Sequence, residues 1–148
     1  MTALLILALS SNNPIPVSNC RFANRIMIEY VSTYLMFNSG IAIKVAYAES
    51  NFNSTAISRA NSRGMFQISK KYEAYLASLA GIKDFQWYNP LHSAIVGINY
   101  LKKLEISYGD TTHSVAAYNC GPSRVNRYII SGEKLPDETI NHINKIFG

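Results

Sequence analysis

Apolar residues along this chain recur at helical rather than strand spacing. Ile95, Ile98, Leu101 and Leu104 repeat every three positions after Asn89-Pro90, which predicts a helix running until Gly109. A first helix is expected from Arg21 to about Met36, stopped by Asn38-Ser39-Gly40. The same residues supply the cap of a second, from Ile41 to about Ser50. A loop-rich stretch follows to Arg63, then a helix from Gly64 to about Leu79 that ends near Gly81. Thr111 or Thr112 caps a short helix through Tyr118-Asn119, and Gly121-Pro122 restarts the chain. Pro136 opens a last helix with Asp137 and Glu138 in its first turn. With no clear period-two strand and no internal repeat, the expected fold class is all-α.

Composition narrows this to one compact domain, since 148 residues at 48% apolar content suffice for a proper core. Residues 1–19 read differently from residues 20–148. Ala3 to Leu9 is an apolar run near the lower limit for the centre of a secretory signal, and Ser10 to Asn19 is polar and contains proline. No Lys or Arg precedes the run, and no clear small-x-small cleavage site follows it. The segment is therefore read either as an export signal, narrowly favoured, or as an N-terminal arm; the run is too short to span a bilayer.

The formal charge of +5 suits an anionic partner, including a cell-wall polymer with free carboxylates and phosphates. The basic residues are single or paired, as in Lys70-Lys71 and Lys102-Lys103, and form no nucleic-acid groove. Cys20 and Cys120 could close a long loop in an oxidising compartment, worth on the order of 4 kcal/mol. Their spacing does not demand it, and two buried thiols are the favoured reading. His92, His113 and His142 share no ligand partner at helical spacing, so neither a metal nor another cofactor is expected.

Among nine acidic residues, Glu49 stands out. Ala46 at i−3, Val45 at i−4 and Ala42 at i−7 turn it onto an apolar face at a helix C-terminus. Both desolvation and the negative end of the helix dipole would raise its pKa toward the working range of an acid catalyst. The bland alternative is a boundary residue hydrogen-bonded to the next loop. Glu29, by contrast, has Arg25 at i−4 with Ser32 and Thr33 following, which predicts a solvated ion pair.

Four blocks in order carry a resemblance. Ala48-Glu49-Ser50-x-Phe52-Asn53, Ala56-x-Ser58, Gly64-Met65-Phe66-Gln67-Ile68 and the run Ala116 to Val125 are similar to the signature blocks of soluble lytic transglycosylases. The likeness covers roughly residues 22 to 130. It implies a single lysozyme-like helical domain that cleaves the β-1,4 bond between N-acetylmuramic acid and N-acetylglucosamine in peptidoglycan, leaving 1,6-anhydromuramyl ends. On the same resemblance Glu49 is the single catalytic acid and base, and Ser58, Gln67, Tyr118 and Asn119 contact the sugar, with Ser50 as an orienting neighbour. Gly-Met-Phe-Gln stands where the family commonly has Gly-Leu-Met-Gln, and Ser69, Cys120 and Ser123 also depart from the usual residues, which bears on subsite preference.

Glycosidases normally use two carboxylates. No second acid is near Glu49 in sequence, and Glu73, the next, is expected on another helix and solvated. A lone acid requires help from the substrate's own N-acetyl oxygen. It also requires neutral hydrogen-bonding neighbours, so Lys44, Arg59 and Arg63 are expected to point away. Three alternatives remain at this level: a goose-type lysozyme, which hydrolyses on a related framework; a non-catalytic peptidoglycan-binding part of a secretion, conjugation, pilus or phage-tail assembly; and a small nucleic-acid binder, which lacks the basic face it would need. The expected setting is the periplasm or the cell exterior, or alternatively a virion, with a monomer acting on glycan strands.

Overall fold

The computed structural model describes residues 20–148, so the N-terminal signal or arm lies outside the described residues. The chain folds as helices α1 (Arg21–Tyr34) and α2 (Ser39–Ser50), a hairpin of strands β1 (Ser62–Arg63) and β2 (Ile68–Ser69), then α3 (Glu73–Leu79), α4 (Pro90–Tyr108), α5 (Thr111–Cys120), α6 (Pro122–Ser131) and α7 (Asp137–Phe147). The all-α class holds.

Helix α4 is the axis of the fold. Asn89 caps it by accepting from the amides of Leu91 and His92, and Pro90 occupies its first turn. It ends at Gly109, which adopts the left-handed φ of +62°. It packs against α1, α3 and α5, while α7 crosses back onto α2 and α5. The main core joins Ile28 and Val31 of α1, Val45 and Ala46 of α2, Met65 and Phe66 of the hairpin turn, and Val96, Ile98 and Leu101 of α4. Each of the larger side chains contributes about 1.5–3 kcal/mol by leaving water. A smaller cluster of Leu104, Ala116, Ala117, Val125 and Leu135 fastens α5 and α6.

The expected helix from Gly64 is replaced by the hairpin, in which Ser62 pairs with Ser69 and Arg63 with Ile68. Gly64 (φ +78°) and Gln67 (φ +49°) both take left-handed backbone, which a helix does not permit. Met65, Phe66 and Ile68 are all buried, and helix begins only at Glu73. Gly97 of α4 makes room for this turn, because a Cβ there would collide with the Phe66 ring. Two smaller corrections follow. The cap of α5 is Asp110, whose carboxylate accepts from the His113 amide at 2.7 Å, rather than either threonine. Cys20 is exposed and Cys120 half-buried, so the two thiols are neither deeply buried nor joined.

Candidate active site

Asn38 starts α2 by accepting from the Ile41 amide at 3.1 Å. The buried stripe Ala42, Val45 and Ala46 then fixes the helix's rotation, so that Glu49, one turn later, faces inward. The helix ends as Asn51 and Phe52 turn left-handed, at φ +51° and +62°. Only 15% of the Glu49 side chain is exposed. Burial raises its pKa from an ordinary 4.5 to about 7; the negative charge of Glu138 adds to the rise, and Lys145 opposes it. Glu29 is the solvated partner of Arg25 at 3.6 Å, as its neighbours predict.

Glu49 opens onto a cleft of about 990 Å³ lined also by Ser58, Gln67, Tyr118 and Asn119, so four of the five residues expected around the acid share its cleft. Each is held by the surrounding framework. Ser58 Oγ accepts from the Ser62 amide at 3.0 Å. Gln67 Nε2 donates to the carbonyls of Gly64 at 2.9 Å and Ala56 at 3.3 Å, across the base of the hairpin. Tyr118 Oη donates to the Phe66 carbonyl at 2.7 Å, and Asn119 Oδ1 accepts from Thr139 Oγ1 of α7 at 2.8 Å. Burial first, then the charge of Glu49, pushes the Tyr118 hydroxyl up, which keeps it a neutral donor.

Ser50 is different. Its hydroxyl donates to the Met65 carbonyl at 2.7 Å and accepts from the Asn53 amide at 3.1 Å. It is not among the residues that line the cleft, and it ties the end of α2 to the hairpin turn.

Among the cations, Lys44 donates to the Ile146 carbonyl, and Arg63 pairs with Glu73 while stacking 5.2 Å from the Trp87 ring centroid, so both are engaged elsewhere. Arg59 is exposed and lines the cleft together with Arg124 and Arg127, while the charges that shift the Glu49 carboxyl are those of Glu138 and Lys145. Glu73, in its pair with Arg63, is 21% exposed rather than solvated.

Three residues invisible from the sequence come from α7. Glu138, His142 and Lys145 border an adjoining pocket of about 550 Å³ shared with Glu49, Ser58, Gln67 and Asn119. Their spacing of i, i+4, i+7 places them on one helix face. Nothing in that spacing ties them to an acid about ninety positions earlier. Glu138 is thus a second carboxylate on the cleft lining, far from Glu49 in sequence.

A family model described as the transglycosylase SLT domain matches residues 26–141. The chain belongs to that family. The SLT domain is also similar to three solved structures. One is an inactive Glu-to-Gln mutant of the lytic transglycosylase Slt from Pseudomonas aeruginosa (20% identity, TM-score 0.74). The second is the 70 kDa soluble lytic transglycosylase of Escherichia coli (21%, 0.72), and the third is a complex of the 70 kDa soluble lytic transglycosylase with bulgecin A (19%, 0.74). Each likeness covers 82% of this chain but only 22% of the other, so the SLT domain here spans about a fifth of the length of those proteins. At this identity the likeness speaks for the fold.

Within the SLT domain the arrangement is that of proton-transfer chemistry. A carboxyl with its pKa raised to about 7 shares a cleft of about 990 Å³ with the uncharged Ser58, Gln67, Tyr118 and Asn119, and Glu138 and Lys145 act on it from α7. No group of three His, Cys, Asp or Glu among the described residues is arranged to hold a metal ion.

Proposed function

We propose that this SLT domain is a peptidoglycan lytic transglycosylase acting in the cell envelope, with Glu49 as both acid and base. The observation that carries the reading is the Glu49 carboxyl itself, largely buried at the cleft floor with its pKa raised to about 7. Near neutrality such a group is protonated often enough to give its hydrogen to the glycosidic oxygen of the leaving sugar, and basic enough afterwards to take one back. The N-acetyl oxygen of the muramic residue supports the oxocarbenium-like centre, as two-carboxylate glycosidases do with a side chain. Ionised Glu49 then removes the O6 proton, and O6 closes the 1,6-anhydro ring. Tyr118, Gln67 and Asn119 present neutral hydrogen-bonding groups that hold the N-acetyl and hydroxyl groups without fixing Glu49 in its charged form.

The rest of the cleft suits the polymer. Tyr72 and Tyr75, one turn apart and both about half exposed, offer ring faces to sugars. Arg59 and Arg124 offer cations to the acidic stem peptides. The similar Slt structure described as inactive carries a Glu-to-Gln change, which fits a chemistry resting on one carboxyl.

One observation favours a second reading. Glu138 lines the same cleft as Glu49, and a second carboxylate is what a hydrolase of the goose-lysozyme kind could use to activate water. Product mass separates the two. Digestion of purified peptidoglycan should release muropeptides about 18 Da lighter than hydrolysis products, because no water is added. Reducing-end muramic acid as the main product at early times would reject the transglycosylase and leave the hydrolase.

A further inference from the structure

The α7 face that covers the acid carries His142, which is buried. Its Nε2 lies 3.5 Å from Glu49 Oε1, is closed off from solvent and has no hydrogen-bond partner among the described residues. Buried imidazole nitrogens are ordinarily satisfied, so an orphan one aimed at a carboxyl oxygen points to a contact that forms when the acid is at work. The surrounding charges leave the imidazole free to make it. On α7 itself Glu138 and Lys145 flank it. From α2 come Glu49 and Lys44, the latter turned to the Ile146 carbonyl. From α5 come Tyr118, whose hydroxyl is committed to Phe66, and the uncharged Asn119. Burial and Lys145 hold the His142 pKa below its ordinary value, so the ring is neutral while Glu49 keeps the proton.

We propose that His142 is the positioning residue of the acid, its neutral imidazole donating Nε2–H to Glu49 Oε1 so that the other carboxyl oxygen, carrying the catalytic proton, is turned to the cleft. The separation of 3.5 Å is at the outer limit of a hydrogen bond and closes by rotation about the terminal bond of either side chain. Once Glu49 has given up its proton the same donor faces a carboxylate, and the bond strengthens. His142 thus serves both halves of the cycle without meeting substrate. This rests on Glu49 being the acid.

The test compares three variants. His142→Leu removes the donor and makes the surroundings more apolar. His142→Asn keeps an amide but ends short of the Nε2 position. His142→Gln places an amide N–H where Nε2 was. With the fold verified by circular dichroism, Leu and Asn should lower kcat about tenfold or more with KM within about twofold, and Gln should stay within about threefold of the parent. The Glu49 carboxyl, followed by carbon NMR and assigned with Glu49→Gln, should titrate about one pH unit higher in the Leu variant and near its parent position in the Gln variant. Equal kcat and titration in the Gln and Asn variants, or an unmoved Glu49 titration in His142→Leu, would overturn the assignment. The titration needs no turnover. An inactive parent enzyme would therefore count against the transglycosylase reading, while the NMR arm still decides the role of His142.

Discussion

Replacing Glu49 by Gln removes the acid and, with it, a standing strain on the fold. In the unfolded chain the carboxyl ionises at its ordinary 4.5; in the folded protein it does so at about 7. Because the folded value is the higher, folding favours the protonated form. The stability this gives is fully present below pH 4.5 and is lost as the pH rises from there through about 7. A difference of that size, at about 1.4 kcal/mol for each unit, is worth roughly 3 kcal/mol. The side chain is only 15% exposed, so solvent screening takes little from it. Gln fills the same space and does not titrate. Urea or thermal unfolding of parent and Glu49→Gln should therefore show the variant gaining on the parent by up to about 3 kcal/mol between pH 4.5 and pH 8.5, several degrees in Tm for a domain of this length. Over the same range its activity on peptidoglycan should be lower by at least about 100-fold. A stability difference that does not change with pH would mean that the carboxyl is not held neutral by burial. Near-full activity in the variant would remove Glu49 from the chemistry.

The charges from α7 should move the alkaline limb of the activity profile in opposite directions. Glu138→Gln removes a charge that raises the Glu49 pKa and should bring the limb to lower pH, Lys145→Met should take it higher, and each shift should be under about one unit because burial dominates; profiles that coincide with the parent's would refute the coupling. Tyr118→Phe leaves the Phe66 carbonyl without its donor and should cost about 1–2 kcal/mol in urea unfolding and at least about tenfold in kcat; unchanged turnover would exclude the hydroxyl from catalysis. Gly97→Ala drives a methyl into the Phe66 ring and should destabilise by about 1–3 kcal/mol by chemical denaturation, with kcat falling because the same turn carries Gln67 and the acceptor of Tyr118. A neutral effect would show that the turn shifts freely.

What the sequence disclosed divides along physical lines. Helices α1, α2 and α4 were legible because one apolar stripe and one terminal residue decide each of them: Asn38 before α2, Asn89-Pro90 and Gly109 around α4. The inward turn of Glu49 followed from the same periodicity. The hairpin was misread because the helix assignment depends on backbone angles at Gly64 and Gln67, and a non-glycine left-handed residue such as Gln67 leaves no mark in a sequence. Ser58, Gln67, Tyr118 and Asn119 were reached through family resemblance, and the cleft contains all four. Ser50, beside Glu49 in the first block, ties the end of α2 to the hairpin turn. The α7 residues leave no mark in the sequence because tertiary packing alone brings them to Glu49, and neither charge nor spacing along the chain encodes that approach.

The single face of α7 that meets Glu49 has an evolutionary consequence. The side chains proposed to meet sugar stand on the hairpin, the loop before it and α5, whereas the two whose charges bias the acid's affinity for its proton, Glu138 and Lys145, stand on one face of α7. The two sets occupy different elements tied by the Thr139–Asn119 hydrogen bond, so Glu138 and Lys145 can drift while Thr139 keeps that tie. A lineage entering a more acidic or alkaline habitat could retune the Glu49 carboxyl by exchanging residues 138 and 145 while His142 and Thr139 stay, and engineers seeking the same change could begin there.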